Sequence, residues 1–395
     1  MLGRAGASLV IAGHAILLTR ILAAGFGADV DTWLMLGTWD GVRAFGVYSP
    51  SRYQGSPLAE VSIGTLAGVG GHWLAGVGSV ALGALAVYSL YRLVAERIER
   101  QTDRVLLASV LVATPLFLVA ATTSHDYVYG LAFFLAGWAA QERKLSSAFS
   151  VALLALATAS RPTYLFVCLL IILFGRPVDR PLRKRIQCSA AYVVVVVLAF
   201  LPAYISAHAS LSFIKADRPT GQGLRGVVAR SLLKPTTVFG LLGSIVFVVM
   251  LVVVLRAARR GGETASGERW VLALAAITVA LWVWLPAEPS YLLPLVAIMV
   301  VWLARPVVIS GARPYLFALL CALASLAWVD PQLLKFSYAA YRPANCSLVE
   351  AVGASISVRV DSGVLLKYPD TERKALQCNE ATRRAKAAQN APVAP

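Results

Sequence analysis

Negative charge is scarce in this chain, which has 20 Asp and Glu against 36 Lys and Arg in 395 residues. Charged residues are only 14% of the sequence and hydrophobic ones 58%. Soluble domains carry roughly 25% charged residues, so an ordinary water-soluble enzyme is excluded. The strict apolar–polar alternation of a membrane β-barrel is also missing, and the apolar runs are continuous instead. Only helices then satisfy every backbone group in lipid, so the chain reads as an all-α polytopic membrane protein. No HExxH pair, CxxC pair, Walker loop or nucleophile elbow occurs, which removes the corresponding motif-based enzyme classes. The match Gly76-x-Gly78-x-x-Ala81 to a dinucleotide fingerprint has no strand before it and lies inside an apolar run.

What is abundant is apolar sequence punctuated by short basic segments. The net charge is +16, but the cations cluster between the apolar runs, so we read them as topology signals and not as a nucleic-acid surface. Hydropathy predicts about eleven spans, near 6–26, 62–91, 105–121, 127–140, 145–160, 162–175, 188–206, 236–256, 270–286, 291–304 and 314–329. The segments 145–160 and 162–175 are short and meet at Arg161-Pro162, where proline sets a break. With a cytoplasmic N-terminus, five basic connections fall on one side, as the positive-inside rule requires. The opposite side receives 27–60, the turn 122–127, the loop 207–235, 286–290 and the tail. This gives a membrane domain over 1–330 and a small extracytoplasmic tail over 331–395, compositionally disordered near its end. Cys346 and Cys378 share that tail and are expected to pair, whereas Cys168, Cys188 and Cys321 behave as small hydrophobes. Gly64-x-x-x-Gly68 predicts close helix packing, and His14, His72 and His208 read as structural.

Polar groups concentrate on the side facing away from the basic loops. Asp29-Val30-Asp31 follows the first apolar run; such a pair can hold a cation, orient a hydroxyl or take its proton, or simply cap a following helix. Trp33, Leu34, Leu36, Trp39 and Phe45 then predict a short interfacial helix. Next comes an ordered-loop pattern carrying Arg52, Tyr53 and, at its end, Glu60. Ser124-His125-Asp126-Tyr127 supplies a second acid, which orients an acceptor, completes a cation site or is a solvated turn. Their adjacency rules out a hydrolase triad. Glu288 and Tyr291 lie at the same end of another span, facing a shared cavity or the headgroups. Lys215, Arg218 and Arg225, with Arg230 and Lys234, run against the usual charge bias; they suit a phosphate or anionic headgroups. Arg161 is a candidate buried partner for an acid.

The order of these motifs resembles the GT-C superfamily of membrane glycosyltransferases, and within it the polyprenol-phosphate-sugar-dependent mannosyltransferases. The likeness runs from Asp29-x-Asp31 through Arg52-Tyr53 and Pro57-Leu58, Ser-His-Asp-Tyr127, Ala-Ser-Arg161-Pro162-Thr and Glu288-Pro-Ser-Tyr-Leu-Leu-Pro294. It implies a GT-C-like bundle in a bacterial inner membrane, with its site facing the extracytoplasmic side. A sugar would pass from a polyprenyl-phosphate donor to a hydroxyl of a glycan or lipid-linked acceptor, with inversion. The resemblance maps the general base to Asp29, with Asp31 in support. His125, Asp126 and Glu288 would serve acceptor or metal, the metal being Mg or Mn. Donor phosphate would go to Arg52, Arg161, Lys215, Arg218 and Arg225, and Tyr53, Glu60 and Tyr291 would position substrate. Membrane lipids are the other expected partners, and nucleic acid is not one. The competing reading is a multi-pass transporter or lipid flippase, which also needs charged groups in a bundle; the chain shows no internal repeat of the kind transporters commonly carry.

Overall fold

The computed structural model describes residues 26, 30–46, 48–51, 55–122, 124–175, 181–206, 243–249, 252, 256, 269–284, 289–304 and 306–324. Among them the chain is helical, without a strand. We number the helices α1 Val30–Phe45, α2 Pro57–Ala95, α3 Gln101–Ala113, α4 Pro115–Thr122, α5 Asp126–Glu142 and α6 Ser147–Ser160. After a 3-10 turn at Pro162–Tyr164 come α7 Leu165–Phe174, α8 Leu182–Ser206 and α9 Arg269–Trp284. A second 3-10 turn, Pro289–Tyr291, leads into α10 Leu292–Leu303 and α11 Pro306–Ala324. The tail cysteines and the spans expected at 6–26 and across most of 236–256 lie outside the described residues.

Two helices, α2 and α8, are long and apolar enough to cross a membrane. Shorter apolar helices cover 147–160, 162–174, 270–283 and 292–303. On α8 the valines point outward on several sides, with Val193 42%, Val195 43% and Val197 59% exposed. An exposed apolar surface of this kind marks contact with a membrane or with another protein.

Proline sets the breaks. Thr114 is held extended (φ −67°, ψ 119°) ahead of Pro115, so the span expected over 105–121 is two helices, α3 and α4. Arg161 is likewise extended (φ −155°, ψ 113°) ahead of Pro162, which ends α6 where the sequence predicts a break. The helix expected after Asp31 is present as α1. Its Trp39 lies against the Gly64-x-x-x-Gly68 face of α2, where a Cβ on Gly64 would come 2.2 Å from that of Trp39. Inside α2 the backbone leaves helical geometry at Gly70 and Gly71, the latter with φ 61°.

The core is built around α5, buried along almost its whole length. Gly137 lets α6 approach until a Cβ there would meet Leu154 at 2.7 Å, and Ser150 Oγ donates to the Gly137 carbonyl at 2.9 Å. Ser56, at the start of α2, meets Asp126 at the start of α5, and Arg97, just after α2, meets Glu142 at its end. The second leg of α2, residues 72–95, therefore runs parallel to α5, while the leg before Gly70 folds back on it, Leu66 lying beside Gly78. The bundle has an Asp126 end and a Glu142 end about 24 Å apart.

Candidate functional site

The Asp126 end gathers side chains from four stretches of sequence. Asp126 opens α5 and is fully buried. Arg161, set by the break between α6 and α7, donates from Nη1 to Asp126 Oδ1 at 3.2 Å and from Nη2 to Ser290 Oγ at 3.0 Å. The other Asp126 oxygen, Oδ2, accepts from Ser56 Oγ at 3.1 Å. Ser56 is the N-cap residue of α2, yet its hydroxyl makes no bond to its own helix and reaches across to α5 instead. Aromatic rings flank the guanidinium, whose Cζ lies 4.1 Å from the Tyr127 centroid and 4.8 Å from that of Tyr291. His125 stacks on Tyr127 at 4.8 Å. Gly130 makes room for this packing, since a Cβ there would come 2.7 Å from Tyr164 and 3.3 Å from the Arg161 Cβ.

Beside Arg161 lies a narrow cleft with about 10 Å³ of internal space, with Tyr127, Thr163, Thr278, Ser290 and Tyr291 contributing polar edges. Val167, Leu281 and Pro294 make an apolar wall. A cation at the base and hydrocarbon along the side give the cleft an amphipathic lining.

A second polar knot forms beside it. Glu60, in the first turn of α2, is fully buried. Its Oε1 accepts from the Ser51 backbone N–H at 2.9 Å and from Ser51 Oγ, and its Oε2 accepts from the Tyr48 hydroxyl. Burial first, and then the Glu60 carboxylate, hold the Tyr48 phenol well above the ordinary tyrosine range. Gly55 (φ 68°) closes this loop, because a Cβ there would meet Tyr48 Oη at 2.9 Å and Pro50 at 3.1 Å.

No protein-family model, curated protein or solved structure matches this chain. The site therefore rests on its own residues. Of those singled out in the sequence, Arg161, Asp126, His125 and Tyr291 converge, and Glu60 turns to its own loop. Asp31 stands in the first turn of α1, and its side chain lies outside what is described. Asp29, Arg52, Tyr53, Lys215, Arg218, Arg225 and Glu288 also lie outside the described residues, as do Cys346 and Cys378. Among the described residues no three His, Cys, Asp or Glu side chains gather to hold a metal ion. Asp126 and His125 do not fit a cation by themselves, because a guanidinium already occupies one carboxylate oxygen and stacks on the ring that His125 covers.

Sequence reasoning missed Ser56, although Ser-Pro is a helix-start signal that placed it at the head of α2. It also missed the Glu142 end. There Glu142 Oε1 accepts from Arg97 Nη2 at 2.9 Å and from Trp138 Nε1 at 3.0 Å. Arg313 grips Asp103 with two bonds, at 2.9 and 2.7 Å, tying α11 to α3. The Trp138–Glu142 spacing of one helical turn was the available signal.

Proposed function

We propose that this chain is an integral membrane sugar transferase of the GT-C type, with about eleven spans and a site on the extracytoplasmic side of a bacterial inner membrane. One observation carries the reading: Asp126, Arg161 and Ser290, from three separated motifs of the resemblance, meet with Ser56 in one buried network beside an apolar-walled cleft. On this reading the cleft widens to admit a polyprenyl-phosphate-linked sugar, with its phosphate toward Arg161 and its tail along Val167, Leu281 and Pro294. Arg161 is held by Asp126 and Ser290, so its fork is oriented before the anion arrives.

The chemistry then follows from the residue types. Asp29, supported by Asp31, accepts the proton of an acceptor hydroxyl as its oxygen attacks the anomeric carbon. The bond from that carbon to the phosphate oxygen breaks on the opposite face, inverting the centre. The electron pair leaves on the lipid phosphate, where Arg161 stabilises the added charge. Lys215, Arg218, Arg225 and Arg52 supplement that charge, and Glu288 and Tyr291 orient the acceptor. The acceptor is a glycan or a lipid-linked saccharide.

The test is transfer of a labelled sugar from polyprenyl phosphate by the purified full-length protein. Asp29→Asn is expected to lower turnover by about 10²–10⁴. Full activity in both Asp29→Asn and Asp31→Asn would remove the base assignment. Movement of a phospholipid or polyprenyl phosphate across liposomes, with no transfer from any donor, would replace this reading by the transporter.

A further inference from the structure

We infer that the Glu60 carboxylate is a positioning group: it pins Tyr48 and Ser51 of the first loop to the head of α2, while Ser56 fastens that head to the Asp126–Arg161 cleft. The kinetic part of this inference rests on the sugar-transfer reading. Three donors converge on Glu60, and all come from a loop that begins twelve residues before it. Its Oε1 accepts two of them and its Oε2 the third, which takes most of what a carboxylate can accept. The side chain is fully buried, so Glu60 is built to hold protein and not to receive a substrate proton.

The dependence runs both ways. A buried carboxylate is costly unless donors surround it, and this loop supplies them. In return the loop's path is dictated by the carboxylate, with Gly55 needed because any side chain there would strike Tyr48 and Pro50. One turn of α2 then separates two outward bonds, Glu60 to the loop and Ser56 to Asp126. The loop and the cleft are thereby fixed to the same rigid helix end. A displacement of about 1 Å at such a mount can cost 10²-fold in rate.

Glu60→Ala, Glu60→Gln and Tyr48→Phe in the full-length protein test this, with transfer kinetics and amide hydrogen exchange as readouts. The Ser51 N–H is itself bonded to Glu60, so its exchange reports the anchor directly. Glu60→Ala should speed exchange across 48–56, leave 126–142 unchanged, and lower kcat about 10²-fold with donor KM within about threefold. Glu60→Gln, which keeps one acceptor oxygen for Ser51, should recover a large part of that loss. A raised KM at unchanged kcat would mean that Glu60 touches substrate, and unchanged exchange in 48–56 would mean that it anchors nothing; either overturns the inference. If Glu60→Ala does not fold, Tyr48→Phe, which deletes one of the three donors, reads the same quantities with an expected kcat loss of about threefold. If the unaltered protein transfers no sugar, the functional reading falls, and exchange alone decides the anchor.

Discussion

The two ends of α5 each carry a buried ion pair, and the pairs are built differently. At the Glu142 end, Arg97 and Glu142 have side chains only 4% and 1% exposed, and further bonds go to Trp138 and the Leu93 carbonyl. These partners all lie within or just beyond two helices, α2 and α5. At the Asp126 end the same charges are spread over four sequence stretches, flanked by two aromatic rings and set beside a cleft. One pair stitches helices that already pack; the other assembles a place where something else can sit. Burial of charge is thus common to both, and the company it keeps tells them apart.

Substitutions should separate the ends, beginning with the largest effect. Arg161→Lys keeps the charge but loses the fork that joins Asp126 to Ser290, and is expected to lower sugar transfer by about 10²–10³ with the protein still folded. Assays of transfer alongside thermal unfolding check this, and a mild loss would put the cleft on the structural side of the comparison. Glu142→Ala should do the reverse, costing about 3–5 kcal/mol of stability by stranding Arg97, with turnover per folded molecule retained. Replacing both partners there by Arg97→Met with Glu142→Leu should return most of that stability, since an apolar pair of similar size is often as good. Ser56→Ala should cost about 1 kcal/mol of stability and lower the rate about tenfold, because the head of α2 loses its bond to the cleft while Asp126 keeps its bond to Arg161.

The smallest expected effect depends on pH. The native state holds the Tyr48 phenol protonated above its ordinary range, so its contribution is complete below the unfolded value of about 10 and declines as pH rises beyond it. Tyr48→Phe should flatten the alkaline fall in stability by up to about 1.4 kcal/mol per pH unit, seen by unfolding between pH 9 and 11. An unchanged slope would show that Tyr48 ionises freely and does not donate to Glu60.

Much of this arrangement was legible in one dimension. Helix type followed from apolar runs, and the break at Arg161-Pro162 from what proline does to the residue before it. Gly64 and Gly68 announced a close approach, though not that Trp39 would be the partner. Asp126, Arg161 and Tyr291 stood out because charge and phenol at the ends of apolar helices need a reason. Ser56 and Ser290 did not stand out, because a serine beside a proline reads as local punctuation until the fold brings a distant partner to it. Arg97 was absorbed into a basic connection, since loop cations follow topology and only packing reveals that one of them points inward.

The interruption at Gly70 and Gly71 has a consequence for direction. As a straight rod, the 39 residues of α2 would measure about 58 Å, nearly twice the roughly 30 Å of a bilayer's hydrocarbon. Residues 72–95 alone supply about 36 Å, enough for one crossing with tilt. The stretch before the break folds back along the rest, Leu66 lying beside Gly78, and it is the stretch that bears Glu60 and receives Trp39. Gly71 turns there with φ 61° and ψ −155°, a region closed to residues with a side chain. In the proposed membrane setting, one missing Cβ turns α2 back on itself and so returns Ser56 and Glu60 to the Asp126 end.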